Sequence, residues 1–245
     1  MRLKTFFIGA VYLAAAGFGV FSPGTARSLG KPGAIVVLVT GDVRIKPDGE
    51  GEFREMRVND LLYVGDTIRT GPQSLASIIL KSGAEVRMNE DTVFRVYPKG
   101  GAREMSTLTE GQIWTRMLHK MARLDVSTLA AICAVRGTEA DIKQRGALTV
   151  KVYEGHVDVS NRLGKQTLSA GEMTSVSGPR AAPVPSVRMV AGQVGNWQKA
   201  AEVKGIEVFL ARIMPDAGDE KKLLLMVGKD GKSKNVERKL KRKNQ

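Results

Sequence analysis

Between residues 31 and 178 the chain runs in short apolar alternations, interrupted every few residues by Gly, Asn, Asp or Pro. A period of two between turn residues predicts strands rather than helices. The pattern predicts strands at 34–38, 42–46, 68–70, 76–81, 85–88, 93–97, 107–115, 147–153, 156–160 and 172–176, with a hairpin turn at Ser82-Gly83. Trp114, Met117, Leu118 and Met121 fall at helical spacing and compete with this reading. If they lie in a strand and loop, the stripe packs as core.

The centre of the chain is 125–142, where Val135-Arg136-Gly137-Thr138-Glu139 stands between two runs of small and apolar residues. Glycine costs about 1 kcal/mol in a helix interior relative to alanine, so the phrase suits a kink between strand segments. Arg136 and Glu139 are expected to pair across that bend. A looser repeat places a glycine ahead of an alternating pair at Gly41, Gly111, Gly155 and Gly171. Its unequal spacing excludes a strict solenoid but fits sheets that coil or stack around one core.

Three motifs occur in order: Gly65-Asp66-Thr67-Ile68-Arg69-Thr70-Gly71, the Arg136-Gly137-Thr138-Glu139 phrase, and Val152-Tyr153-Glu154-Gly155-His156. With Gly41-Asp42-Val43 before them and Leu168-Ser169-Ala170-Gly171-Glu172 after, they resemble the FecR domain family over 32–178. Two positions depart from the family pattern. Thr128-Leu129-Ala130-Ala131 stands where Thr-Pro-x-Ala is usual, and Ala140 replaces an aromatic. The resemblance implies an all-β core of coiled or stacked sheets, solenoid-like or sandwich. It also implies a non-enzymatic extracytoplasmic module that contacts another protein, with exposed strand edges and the loops 65–71 and 99–103 as contact surfaces. Only four residues precede the first apolar run, too few for the cytoplasmic anti-sigma segment of the iron-signalling members, so sigma-factor control and the iron link are not carried over.

Arg2 and Lys4 precede an uncharged run over 5–26 that Pro23 breaks, the pattern of a signal peptide cleaved after Ala26. An uncleaved inner-membrane anchor is the alternative. Periplasmic or extracellular placement follows from cleavage. The expected organisation is a signal peptide at 1–26, the β domain at 31–178, a Pro-rich linker at 179–195, a helical segment at 196–228 and a basic disordered tail at 229–245. In the helical segment Asn196 is expected to cap a helix opened by Trp197, and Ile206, Phe209, Leu210 and Ile213 form an apolar stripe expected to dock on the β domain.

Of 245 residues 42% are apolar but only 5% aromatic, so burial rests on aliphatic side chains, whose β-branched share favours strands. The net charge of +13 asks for anionic company. Much of it sits in Lys229, Lys232, Lys234, Arg238, Lys239, Lys241, Arg242 and Lys243, against Asp230 and Glu237. This tail supports the alternative function, attachment to anionic envelope polymer, glycan or lipid headgroups; nucleic acid is not expected for an exported chain.

Catalytic patterns are lacking in the sequence. His119 and His156 have no second ligand at metal spacing, and no nucleophile elbow, phosphate loop or dinucleotide fingerprint occurs. Asp66, Glu154 and Asp158 are better read as turn and surface carboxylates than as an acid-base pair. No cofactor is expected. The single cysteine, Cys133, lies in an apolar run and is expected to be a buried small hydrophobe.

Overall fold

The computed structural model describes residues 32–97, 105–118 and 122–200, together with Val203, Ile206 and Phe209. The expected signal peptide, the loop 99–103, His119, Met121 and the basic tail all lie outside the described residues. Among the described residues fifteen strands run β1 (Ala34–Thr40), β2 (Val43–Lys46), β3 (Arg54–Glu55), β4 (Leu61–Leu62), β5 (Thr67–Thr70), β6 (Leu75–Leu80), β7 (Ala84–Met88) and β8 (Val93–Arg95). They continue as β9 (Met105–Met117), β10 (Arg123–Ser127), β11 (Ile132–Arg145), β12 (Ala147–Asn161), β13 (Gly164–Ser169), β14 (Glu172–Val176) and β15 (Val187–Arg188). All pairings are antiparallel except that of β9 with β10.

The hydrogen-bonded sheet is continuous, but β9, β11 and β12 each belong to two neighbourhoods. Their halves at 111–117, 139–145 and 147–154 join β15, β14, β7, β6, β1 and β4 in one layer. The halves at 105–110, 132–136 and 156–161 join β3, β2, β5, β8, β10 and β13 in a second. One buried cluster unites both layers, with Val36, Ile78 and Val86 from the first and Ile45, Ile68 and Phe94 from the second. The all-β core is therefore a sandwich made by folding one sheet over on itself.

Three glycines make the fold-over. Along a regular strand the inward side chains recur every second residue. In β9 the inward set steps by five, from Leu108 to Ile113; in β11 it steps from Val135 to Ala140, and in β12 from Val152 to Val157. Each odd step spans a glycine of positive φ: Gly111 at 101°, Gly137 at 61° and Gly155 at 72°. A bulge adds the odd residue and sharpens the bend, so both halves keep their apolar side chains on the core. The phrase around Gly137 is thus a kink inside one fourteen-residue strand. At Gly155 a Cβ would lie 2.5 Å from the Gly137 carbonyl oxygen, and at Gly111 it would run into Thr92.

The Trp114 region is the extended end of β9, because Ile113 and Thr115 face the core while Gln112, Trp114 and Arg116 face the other way. Its helical spacing is coincidental, arising from a strand buried on both faces.

Candidate interaction surface

The motif residues serve the framework. The Asp66 carboxylate is buried and accepts the backbone N–H groups of Tyr63 (2.8 Å) and Asp48 (3.0 Å), while Thr70 Oγ1 donates to the Asn89 carbonyl (2.6 Å) and accepts from the Thr92 N–H. Gly65 has φ 97° against the Asp48 side chain, and the Gly71 N–H donates to the Asp42 carbonyl. Ile68 is fully buried, and Arg69 is the exposed side chain of β5. The expectation that 65–71 is a contact loop is therefore corrected: it is a buried turn running into a paired strand.

Val135 is core, and Gly171 turns the chain between β13 and β14 at φ 85°. The expected pairing of Arg136 with Glu139 is corrected too. Arg136 pairs with Asp125 on β10 at 2.8 Å, and Glu139 accepts the Trp114 indole N–H at 3.0 Å. Glu154 stands exposed opposite Glu139 across the β11–β12 ladder. Cys133 is buried, and its thiol pKa is pushed up to about 12 by burial, which leaves it protonated.

The outer face of the first layer carries charge where a sandwich normally meets water, yet it is covered. Glu85 is fully buried, held by Arg87 (2.8 Å), Arg116 (2.6 Å) and the Ser77 hydroxyl (3.1 Å). The guanidinium groups of Arg87 and Arg116 lie 5.3 and 5.6 Å from the Trp114 ring, within cation–π range. Next to them Asp141 accepts two hydrogen bonds from Gln112, at 2.8 and 2.9 Å.

The cover is the C-terminal segment, which runs as a strap across these strands. It leaves the sheet edge at β15 and makes a 3-10 turn at Ala191–Gln193. Lys151 donates to the Gln193 carbonyl (2.6 Å), the Gly195 N–H donates to the Tyr153 hydroxyl (3.2 Å), and the Trp197 indole donates to Asp141 (2.9 Å). Arg87 donates to the Gln198 carbonyl. Ile206, with Val203 and Phe209 beside it, then packs on Ile35, Val37, Ile79 and Leu118, the docking expected of Ile206 and Phe209; Leu210 and Ile213 of the expected stripe lie outside the described residues. Trp197 opens only a 3-10 turn, Trp197–Lys199, and Asn196 makes no side-chain cap, so the expected helix start there is corrected. Burial under the strap raises the Asp141 pKa, opposed by its bonds from Trp197 and Gln112. Tyr153 is pushed up to about 12, chiefly by burial and then by the Asp141 charge.

The strap's other side faces out. Val184, Val187, Val190 and Val194 are exposed, and β15 ends the strand order of its layer with one side unpaired among the described residues. The segment is anchored to β14 through the Val184 N–H on the Ser175 carbonyl, and to the turn before β14 through the Met189 N–H on the Gly171 carbonyl. Sequence reasoning read 179–195 as extended from its prolines but did not identify this surface; the only signal was the recurrence of valine along it.

The model of the family described as FecR protein matches residues 66–158, from the buried turn carboxylate through all three kinks. This stretch is a FecR domain. Two crystal structures of an anti-sigma factor candidate from Parabacteroides distasonis, at 1.65 and 2.50 Å resolution, also resemble the chain. The first has a TM-score of 0.47 at 19% identity, over 61% of this chain and 74% of that one; the second has 0.46 at 21%, over 55% and 64%. No curated protein matches the chain. Among the described residues no group of three or more His, Cys, Asp or Glu is placed to hold a metal ion, and no helix is long and apolar enough to cross a membrane.

Proposed function

We propose that this chain is an exported, non-enzymatic FecR-like β module that makes protein–protein contacts in the bacterial envelope and takes part in cell-surface signalling. The observation that carries this reading is the FecR domain at 66–158, whose polar motif residues Asp66, Thr70, Arg136 and Glu139 are committed to holding turns and strands. The contact surface it points to is the outer side of the strap. A partner's extended segment pairing with the free side of β15 would gain main-chain hydrogen bonds, and the exposed valines would supply apolar contact.

A photo-cross-linking residue placed at Val187 or Val190 in the full chain, expressed in its native envelope, tests this. A discrete adduct with another envelope protein is expected from both positions and not from exposed Glu52 in the second layer. No adduct at the valines, or the same adduct at Glu52, overturns the contact surface.

A further inference from the structure

A second surface is built where three turns meet at one corner of the second layer. The Asn161 side-chain amide donates to the carbonyls of Ala130 (3.1 Å) and Ala181 (2.7 Å), and so ties together the turns at 128–131, 161–164 and 178–181. Each turn is internally braced. Thr128 Oγ1 accepts the N–H groups of Ala130 and Ala131, Asn161 Oδ1 accepts the Leu163 N–H, and the Ala181 N–H donates to the Gly178 carbonyl. These braces hold large apolar side chains out into solvent at the turn tips: Leu129 is 65% exposed and Leu163 57%, with Ile132 at 40% between them at the start of β11.

The turns themselves carry charge of one sign. Residues 127–132, 160–166 and 177–183 contain no Asp or Glu but hold Arg162, Lys165 and Arg180. Lys165 is paired with Asp158 at 3.0 Å, and Asp158 also accepts from Thr167 at 2.6 Å, whereas Arg162 and Arg180 are exposed and make no ion pair among the described residues. The leucines stand outward on braced turns. They suit a soft apolar phase beneath a layer of negative charge, where leucine tips enter the acyl boundary and arginines meet the headgroups.

We infer that the corner formed by Leu129, Ile132 and Leu163 with Arg162 and Arg180 is a docking surface for an anionic lipid bilayer. It shares no residue with the basic tail or with the strap's exposed valines, although Arg180 lies at the start of the segment that becomes the strap. The two leucines supply insertion and the two arginines supply selection for negative headgroups. Because insertion is local to these turns, attachment of the chain elsewhere leaves its signature readable.

The test uses the full chain carrying Leu129→Trp with vesicles of phosphatidylcholine, with and without phosphatidylglycerol, and with brominated acyl chains. The parent protein's fluorescence is subtracted to remove Trp114 and Trp197. On vesicles with phosphatidylglycerol the introduced indole should shift to the blue and be quenched by bromine, and it should stay at its aqueous emission on phosphatidylcholine alone. Adding Arg162→Glu and Arg180→Glu should weaken the response by about 25-fold or more, since each cation near an anionic surface contributes about fivefold and the two factors multiply. Unchanged circular dichroism confirms that these exposed substitutions leave the fold intact. An aqueous emission on protein that has bound the vesicles through another segment overturns the inference. So does a blue shift that needs no vesicles and grows with protein concentration, which would assign the corner to a second copy of the chain.

Discussion

The carbonyl oxygen of Gly137 lies 2.5 Å from the point a Cβ on Gly155 would occupy, so the kinks of β11 and β12 interlock. A Cβ on Gly137 itself would meet nothing within 4 Å. Both residues have positive φ, and alanine is strained at either. Gly137→Ala should cost about 1 kcal/mol from backbone strain alone, and Gly155→Ala about 3 kcal/mol or more, because a backbone oxygen cannot yield as a side chain does. Chemical denaturation of the two variants should show this order. Equal costs would show that the kinks do not interlock.

Glu85 is fully buried and neutralises two guanidinium groups, the nearly buried Arg87 and the Arg116 side chain, which is 21% exposed. Glu85→Ala leaves Arg87 and Arg116 beside Trp114 without the carboxylate they share and should cost about 3–5 kcal/mol, as breaking a buried ion pair does. A loss below about 1 kcal/mol in a denaturant melt would mean that water reaches this face, against a strap that covers it.

Trp197→Phe removes the indole N–H from Asp141 while keeping an aromatic ring, and should cost about 1–3 kcal/mol locally. The core should melt as before, while proteolytic cleavage within 178–200 accelerates. Cleavage at the parent rate would show that this bond does not hold the strap.

Asp141 and Asp158 should produce opposite pH dependences. Burial raises the Asp141 pKa, so the folded state holds its proton more tightly; stability from this group is greatest below the ordinary carboxylate range, near pH 4, and falls as pH rises through the raised value. The hydrogen bond from Thr167 lowers the Asp158 pKa, so its contribution is present above that range and is lost as pH falls through the lowered value. Melting curves across acid pH should lose the first slope in Asp141→Asn and the second in Asp158→Asn. A parent-like profile in either variant contradicts the assignment for that residue.

Much of the fold was legible because its signals are local. Alternation located most strands to within a residue or two, and Gly137 announced its kink by standing between two runs of small and apolar residues, whereas Gly111 and Gly155 read only as glycines ahead of an alternating pair. What was not legible depends on residues far apart in the chain. Arg136 finds Asp125 eleven positions away, and Glu139 finds Trp114 twenty-five away, so adjacency in the phrase suggested the wrong pair. The short strands β3, β4 and β15 carry too few residues for a period to show, and exist through pairing alone. The strap was hidden for the same reason. Its prolines mark an extended chain, but its latch bonds span 42 residues from Lys151 to Gln193 and 56 from Asp141 to Trp197. On the first layer's outer face, buried Glu85 and Asp141 look in sequence like ordinary surface carboxylates of an alternating strand.

The account turns on the strap being part of the folded β module, closing the charged face beneath it and presenting its valines outward. Hydrogen exchange of the full chain, resolved to single amides, tests this most directly. The N–H groups of Val184, Met189 and Gly195, bonded to Ser175, Gly171 and Tyr153, should be protected alongside amides of the adjacent β14. Exchange of these three at the rate of an unstructured peptide, with β14 still protected, would contradict the account and leave 179–195 a free linker.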